Sequence, residues 1–419
     1  MLLSYFKIAW KVLLRRKFFT FISLFGISFT LMILLVVVAV ADHFSGARAP
    51  EKRLDRLLFV NLLSQQFKDG GSQNNPVSAY FIDTYVRTMK TPERVGFASL
   101  NSSATAFAGN QTLTLDVRYT DAGFWQLMDF EFLHGRPYSA TEIAQEARVC
   151  VINQRTARAF FGTEQGATGR FLDIGPYRYR VAGVVPNVPV IRLYTSADVW
   201  LPYTLKSANF HDKRLQGEYV AMLLAPSTAA VPAVRQEFEQ VMRRMPLPDP
   251  KRIERISAHA DPALAGIVRQ ITSNQNNEQD GMGLFLTLAG TLALLFMLLP
   301  ALNLVNLNVT RIMERSSEIG VRKAFGASQR VLVGQFLVEN LVLAALGGAL
   351  GLGLAALVLH SLNESQFIAH SHFALSWRAF GLGLLLTVVF GLMSGVYPAW
   401  KMARLNPNDA LRGSGAGPR

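Results

Sequence analysis

The stretch that decides the fold is Glu314-Arg315-Ser316-Ser317-Glu318-Ile319-Gly320-Val321-Arg322-Lys323-Ala324-Phe325-Gly326-Ala327-Ser328, a charged run between two long apolar stretches. Residues 281–310 before it contain no Asp, Glu, Lys or Arg, and residues 331–362 after it contain only Glu339. A membrane-spanning helix needs roughly 20 apolar residues. The run is therefore predicted to be a water-exposed link between two membrane helices, and its Arg and Lys content favours the cytoplasmic side.

The rest of the chain alternates between uncharged stretches and segments of ordinary soluble composition. Its fold class is predicted to be a membrane protein with four transmembrane α-helices, at residues 18–41, 282–308, 331–359 and 378–400. A large α+β extracytoplasmic domain, residues 42–281, lies between the first and second spans. The other predicted segments are a cytoplasmic amphipathic helix (1–17), a cytoplasmic coupling loop (309–330), a short outer loop (360–377) and a cytoplasmic tail (401–419).

Basic residues set the predicted orientation. They cluster before the first span, in the coupling loop and in the tail, whereas the short outer loop has no Lys or Arg. By the positive-inside rule both termini are cytoplasmic and the large domain is outside. The net charge of +13 then lies mostly where anionic membrane lipids attract it, so lipids are expected partners and nucleic acid is not.

The predicted extracytoplasmic domain has one cysteine, Cys150, so it must rely on its own core rather than on an internal disulfide. Alternating patterns predict strands over 112–119 and 177–185, and helical patterns cover Gln154–Phe161 and Ala233–Met245. Further helices, over Ser45–Leu58 and Ala263–Ser273, are predicted to act as stalks between this domain and the membrane.

Polar residues inside the predicted spans have two interpretations each. Asn303 and Asn306 share a helix face, which favours hydrogen bonding between helices over contact with a substrate. Glu339 is an intramembrane carboxylate and hence a functional candidate, but near the interface structural pairing is favoured. Gly347 and Gly351 have the spacing that lets two helices pack closely.

The charged run itself fits a short helix on the membrane surface. Glu318 and Arg322 form a favourable pair one turn apart. Gly326 is placed to end this helix and Ser328 to cap the third span.

These residues also carry a family resemblance. The run Glu314–Ser328, the following Gln335–Glu339 and the tail Leu405–Arg412 closely resemble the MacB/FtsX-like family of ABC transporter permeases. The predicted outer domain resembles that family's extracytoplasmic domain at Gly135–Pro137, Val151–Asn153, Ala159–Gly162, Gly166–Gly169 and Val181–Val185.

The resemblance implies a role for the run and a set of partners. In the family this link is a coupling helix that docks on an ABC ATPase subunit, which makes the candidate coupling residues Glu314, Glu318, Ile319, Gly320, Arg322, Lys323 and Gly326. It further implies a second permease copy (homodimer or paralogous heterodimer), a periplasmic adaptor and outer-membrane channel as possible further partners, and location in the bacterial cytoplasmic (inner) membrane. ATP-driven closure of the spans would be transmitted through the stalks to the outer domain, a process called mechanotransmission.

The sequence contains no G-x-x-x-x-G-K-[ST] run that would cradle the phosphates of ATP. We therefore expect a permease subunit that is not itself an enzyme, with ATP and Mg bound by the partner ATPase. No catalytic, cofactor-binding or metal-binding residue is predicted. His360, His370 and His372 lie in or beside the short outer loop and lack the further ligands that a metal site needs.

Three functional hypotheses follow from these expectations. The favoured one is a permease that exports or extracts a hydrophobic or amphipathic substrate such as a peptide, lipoprotein or drug. The alternative is an FtsX-like, non-transporting signal transmitter that activates a cell-wall hydrolase. A third is a membrane sensor, which the short tail after Trp400 disfavours.

Overall fold

The computed structural model describes residues 11, 13–15, 17–108, 111–206, 213–272, 280–314, 321, 325, 328–365, 373–375 and 377–403. They form two compact units: a mixed domain of residues 44–286, and a helical unit drawn from 1–43, 287–367 and 372–419. The helices are α1 (Lys17–Ser45), α2 (Ala79–Phe81, continued by a π-helical turn Ile82–Val86), α3 (Ala122–Leu127), α4 (Ala140–Ala144), α5 (Gln154–Phe161), α6 (Val231–Arg244), α7 (Ala263–Ile271), α8 (Met282–Glu314), α9 (Gln329–Glu364) and α10 (Trp377–Ala403).

The strands all lie in the mixed domain. They are β1 (Leu57–Val60), β2 (Leu63–Phe67), β3 (Ser72–Asn75), β4 (Arg94–Ser99), β5 (Ser102–Ala108), β6 (Gln111–Thr120), β7 (His134–Gly135), β8 (Val149–Asn153), β9 (Phe171–Ile174), β10 (Tyr177–Val185), β11 (Val199–Pro202), β12 (Tyr219–Leu224) and β13 (Ile253–Ala258).

A 10-stranded sheet runs β1-β12-β4-β6-β11-β8-β10-β9-β5, with β7 paired to β10. Strand β5 also pairs with β6, so the strands from β6 round to β5 form a closed ring. Inward-facing side chains such as Ile152, Val181 and Val199 fill this ring and are fully buried. The β1-β12-β4 part is covered on both faces, because every residue of β12 is buried. A smaller three-stranded sheet, β13-β2-β3, completes the domain.

Two glycines explain why two of the quoted motifs occur together. Gly135 and Gly183 are paired across β7 and β10. A Cβ atom at Gly135 would lie 2.2 Å from the Ala182 carbonyl oxygen, and one at Gly183 would lie 2.6 Å from that of Arg136. Only residues without a side chain allow the two strands to approach this closely.

Most local predictions for the domain are confirmed. Strands β6 and β10 cover the predicted 112–119 and 177–185, and α5 has the predicted bounds. The Asn153 side chain caps α5 by accepting from the Thr156 N–H at 2.8 Å, and Gly162 ends the helix with a φ of +74°. Helix α6 ends at Arg244, before the predicted Pro-rich break, and α7 matches the predicted second stalk.

The predicted first stalk, a helix over Ser45–Leu58, is wrong. Helix α1 ends at Ser45, and the chain continues through turns and a 3-10 turn, Leu54–Arg56, into β1. Tertiary contacts override the helical pattern here, because Glu51 is buried in an ion pair and β1 is fully buried within the sheet. Ser328 does lie at the N-terminus of α9, but in the described part of the chain its side chain makes no capping hydrogen bond.

The helical unit contains α1, α9, α10 and most of α8. By length and composition, Thr20–His43 and Val333–Glu364 are candidate membrane spans, whereas Met282–Leu295 and Trp377–Val389 are shorter apolar helical stretches among the described residues. The number of spans and the segment boundaries therefore stay predictions.

Close packing at the glycines of α9 is confirmed. A Cβ atom at Gly347 would lie 2.7 Å from the Ile27 side chain, and one at Gly351 would lie 2.9 Å from the Ser28 carbonyl oxygen. Both contacts are with α1, so the small residues allow α1 and α9 to pack closely.

Candidate functional site at the stalk junction

The candidate site is a polar network in the mixed domain that we call the stalk junction. It comprises Gly46, Glu51, Arg192, Thr195, Arg235, Asp261, Arg269 and Asp280. One half holds the chain that leaves α1 and the other half holds the chain that enters α8. The two halves therefore lie where residues 42–281 were predicted to connect to the membrane.

The first half is centred on a buried ion pair. Arg192 Nη1 lies 3.0 Å from Glu51 Oε2, and the two side chains are 2% and 3% exposed. Arg192 Nη2 donates to the carbonyl of Gly46, the residue after α1, at 2.8 Å. Thr195 Oγ1 donates to the other Glu51 oxygen at 2.7 Å. The chain leaving α1 is thus tied to the turn that carries Arg192 and Thr195.

Arg118 on β6 holds that turn in place. Its guanidinium is buried and donates to the carbonyls of Leu193, Ser196 and Ser99, the first two at 2.7 and 3.2 Å. Burial lowers the pKa of Arg118 to about 10, although the nearby charge of Glu51 acts in the opposite direction. A guanidinium with several carbonyl acceptors in a dry site rigidly fixes the backbone around it.

The second half is centred on Asp261, just before α7. Arg269 Nε on α7 lies 2.6 Å from Asp261 Oδ2, and both side chains are almost fully buried. Arg235 on α6 lies 2.9 Å from Asp261 Oδ1 and also reaches Asp280 at 3.5 Å. Asp280 Oδ1 accepts from the Met282 N–H at 3.1 Å, so the same carboxylate caps the start of α8.

Strand β1 connects the two halves. The Phe59 N–H donates to the Asp261 carbonyl at 2.8 Å, and the Asp261 N–H donates back at 3.1 Å. The Phe59 ring stacks on Tyr194, with ring centres 3.9 Å apart, in the turn that also carries Arg192. Burial raises the pKa of Tyr194 to about 12, which keeps the phenol neutral. Both membrane connections therefore bear on one buried strand.

This arrangement suits a mechanical connection. Removing one member of a buried ion pair typically costs about 3–5 kcal/mol, because the remaining charge stays desolvated. A displacement of the chain at either half therefore has a high cost unless the sheet moves with it. The same network also stabilises the domain, so its presence alone does not distinguish transmission from stability.

The sequence-predicted site residues lie elsewhere. Asn303 and Asn306 are on α8, and Glu314 is its last residue. Glu339 on α9 is 3% exposed, as is its neighbour Asn340, so its side chain is enclosed by the protein rather than open at the surface. Outside the described residues lie Glu318, Ile319, Gly320, Arg322, Lys323 and Gly326, and the coupling run remains a prediction.

Sequence reasoning missed the stalk junction because its ion pairs join distant positions. Glu51 and Arg192, for example, are 141 residues apart. One signal was available: Asp280 directly precedes the apolar run that begins at Gly281, as an N-cap residue does. Of the three histidines, His360 is exposed on α9 and the other two lie outside the described residues. Within the described ranges no group of three potential metal ligands occurs.

Family profiles match most of the chain. The MacB-like periplasmic core domain matches residues 20–241, and the FtsX-like permease C-terminal domain matches residues 290–407.

Individual relatives agree. A pyoverdine export ATP-binding/permease protein, PvdT of Pseudomonas fluorescens, is 26% identical over 98% of this chain and 59% of its own length. A macrolide export ATP-binding/permease protein, MacB of Burkholderia cenocepacia, is 24% identical over 97% of this chain and 57% of its own length. This chain thus spans less than two thirds of each relative. The periplasmic region of MacB from Actinobacillus actinomycetemcomitans is 12% identical, covering 53% of this chain and 94% of that structure with a TM-score of 0.36.

Proposed function

Because this chain belongs to the MacB/FtsX-like family of ABC transporter permeases, we propose that it transmits the ATPase cycle from the membrane to its extracytoplasmic domain. It is a membrane protein with a MacB-like extracytoplasmic domain. In this proposal the membrane part has four spans, both termini are cytoplasmic, and the protein acts in the inner membrane with a second permease copy.

The stalk junction is the observation that carries this proposal. Both connections between the mixed domain and the helical unit are held by buried ion pairs, one at Arg192 and one at Asp261. Both also contact β1, directly or through Tyr194. A change at the end of α1 or the start of α8 would therefore reach the 10-stranded sheet through charged contacts that are expensive to break.

ATP hydrolysis is assigned to a separate ABC ATPase subunit that binds ATP and Mg. Two observations support this assignment. The relatives are named as ATP-binding/permease proteins, and this chain spans 57–59% of their length. The present sequence also holds no phosphate-binding G-x-x-x-x-G-K-[ST] run. The chain itself then acts as a non-catalytic membrane component, with Glu314, Glu318, Arg322 and their neighbours docking on the ATPase.

The proposed activity is export or extraction of a hydrophobic or amphipathic substrate, in the class of peptides, lipoproteins and drugs. The relatives' names, which refer to export of pyoverdine and of macrolides, support export over the signal-transmitter alternative. An adaptor and an outer-membrane channel would complete the path in such a system.

The test uses the full chain with its ATPase subunit in lipid nanodiscs. A spin label at Lys251→Cys, in a Cys150→Ala background, reports the distance between the two copies with and without ATP. Two variants are compared: Arg235→Leu, which removes the contacts of α6 with Asp261 and Asp280, and the charge reversal Glu318→Lys with Arg322→Glu.

Arg235→Leu is expected to keep ATP hydrolysis while the ATP-dependent distance change falls about tenfold in amplitude, equivalent to roughly 1.4 kcal/mol of lost coupling. The charge reversal is expected to lose ATPase stimulation but still insert in the membrane. Arg244→Glu, exposed at the end of the same helix α6, should behave as the wild type. A normal distance change in Arg235→Leu would reject transmission through the stalk junction, and normal stimulation in the charge reversal would reject the docking assignment.

A further inference from the structure

The mixed domain contains an open cleft of about 1180 Å³ that is separate from the stalk junction. One wall is a face of the three-stranded sheet, where Gln65 on β2 is paired across the strands with Gln73 on β3. The other walls are the segment 213–219, the connection between β4 and β5, and Lys206. The volume exceeds the roughly 300–1,000 Å³ typical of small-molecule sites, so the cleft can accommodate several residues of an extended chain.

The frame of the cleft is fixed by hydrogen bonds. Gln216 Nε2 donates to the carbonyls of Leu63 and Gln73 at 2.8 and 2.9 Å, and Asn75 Nδ2 donates to Gln216 Oε1 at 3.3 Å. These bonds tie the segment 213–219 to β2 and β3. Because Gln216 already occupies the outward carbonyl of Gln73, a ligand here would be recognised by side chains rather than by strand addition to β3.

The recognition groups are polar and mostly positive. The amide side chains of Gln65, Gln73 and Asn101 line the cleft, and no hydrogen bond is recorded for any of them in the described ranges. The charged lining residues are Lys206, Lys213, Arg214 and Glu218, giving three cations and one carboxylate. Lys206 is ion-paired with Glu218, whereas Lys213 is exposed and has no ion pair among the described residues.

Apolar side chains contribute little to the open surface. Leu215 and Ile253 are each 6% exposed, and Leu100, at 51%, is the exception. A lining of this kind matches neither a lipid tail nor a macrocyclic apolar ligand, which need a mainly hydrophobic wall. It matches a chain that carries carboxylates and many hydrogen-bonding groups.

We propose that this cleft binds an acidic peptide segment of the exported cargo. Carboxylates of the peptide would pair with Lys213 and the neighbouring cations, and its backbone amides would hydrogen-bond with Gln65, Gln73 and Asn101. The inference rests on the proposed function only for the fate of the peptide, because binding itself requires neither ATP nor the ATPase.

Fluorescence anisotropy of the full-length protein in nanodiscs, without ATP or ATPase, tests the proposal. The probe is a fluorescein-labelled octapeptide of Asp, Glu, Ser and Gly, compared with a matched peptide in which Asn and Gln replace the acids. The acidic peptide is expected to bind at least about tenfold more tightly, with the difference shrinking at high salt as charge screening predicts.

Lys213→Glu is expected to weaken binding about tenfold or more, and Gln73→Ala to weaken it less. Arg148→Glu, which changes an exposed cation on the closed ring instead, should bind as the wild type does. Lys213→Ala with an unchanged unfolding temperature guards against a folding defect. Equal binding of the two peptides, or unchanged binding in both Lys213 variants, overturns the proposal. If binding is confirmed but the ATP-dependent distance change is absent, only the proposed function fails.

Discussion

Glu142 shows how much one carboxylate can organise at the surface of the mixed domain. Its Oε2 lies 2.8 Å from Arg136 Nη1, and its Oε1 lies 3.2 Å from Arg180 Nη2. It also forms a capping box with Ser139 at the start of α4. The hydrogen bond from Arg136, the largest cause, lowers the pKa of Glu142 to about 2. Arg136 belongs to the Gly135–Pro137 motif, so this residue helps fix the motif in place.

A pH dependence follows from that lowered pKa. A carboxyl with a lower pKa in the folded state stabilises that state above its unfolded pKa of 4.5, and the contribution is lost as the pH falls towards 2. Glu142→Gln is expected to cost about 1 kcal/mol at pH 7, the usual value of such caps, and to flatten the loss of stability between pH 4.5 and 2. Urea unfolding followed by tryptophan fluorescence measures this, because Trp125 and Trp200 are buried in the domain. Glu254→Gln, an exposed carboxylate on β13, is the control, and an equal acid response in the two variants would contradict the assignment.

At the residue scale, sequence patterns predicted local chemistry but not long-range pairing. The cap at Asn153 and the turn at Gly162 depend on neighbours within one helix, so their residue types indicate their roles. Arg118, Arg192 and Asp261 depend on partners brought together by the whole sheet. Nothing in their immediate sequence distinguishes a buried arginine from a solvated one, which is why the stalk junction was not predicted.

At the element scale, periodicity was reliable where packing agrees with it. Strands β6 and β10 alternate between the inside and outside of the closed ring, and α5 is capped at both ends. The segment after Ser45 has a helical pattern but folds into turns, since burial of Glu51 and pairing of β1 stabilise another conformation. Local propensity is a weak prior when tertiary contacts compete with it.

The packing of α9 on α1 gives a prediction at this scale. In Gly351→Leu, the new Cβ atom would meet the Ser28 carbonyl oxygen at 2.9 Å and the Leu31 Cβ atom at 3.0 Å. Separating the two helices to relieve this contact is expected to cost about 1–3 kcal/mol. The unfolding temperature of the detergent-solubilised chain, read by fluorescence-detected size-exclusion chromatography, should fall accordingly.

Gly353→Leu on the same helix provides the matched control, because no atom lies within 4 Å of a Cβ placed there. It should leave the unfolding temperature unchanged. Equal effects of the two substitutions would mean that helix propensity, rather than the contact with α1, sets the cost.

At the scale of the whole molecule, two independent sequence features agree on one arrangement. The apolar stretches predicted helices that the structure contains as α1, α8, α9 and α10. The basic residues predicted which ends of those helices face the cytoplasm. Hydropathy and length support Thr20–His43 and Val333–Glu364 as spans among the described residues. An arrangement with only these two would leave the coupling run outside the cell, where it could not meet an ATPase.

Labelling with a membrane-impermeant maleimide separates the two arrangements. In a Cys150→Ala background, single cysteines at Lys251, Ser328 and Glu364 report the mixed domain, the link between α8 and α9, and the end of α9, all exposed positions. With four spans, cysteines at 251 and 364 should react in intact cells and the one at 328 only after the membrane is opened. With two spans, the results at 328 and 364 would be reversed, because the chain would cross only at α1 and α9. Reaction at 328 in intact cells would therefore reject both the four-span arrangement and the docking of residues 314–326 on a cytoplasmic ATPase.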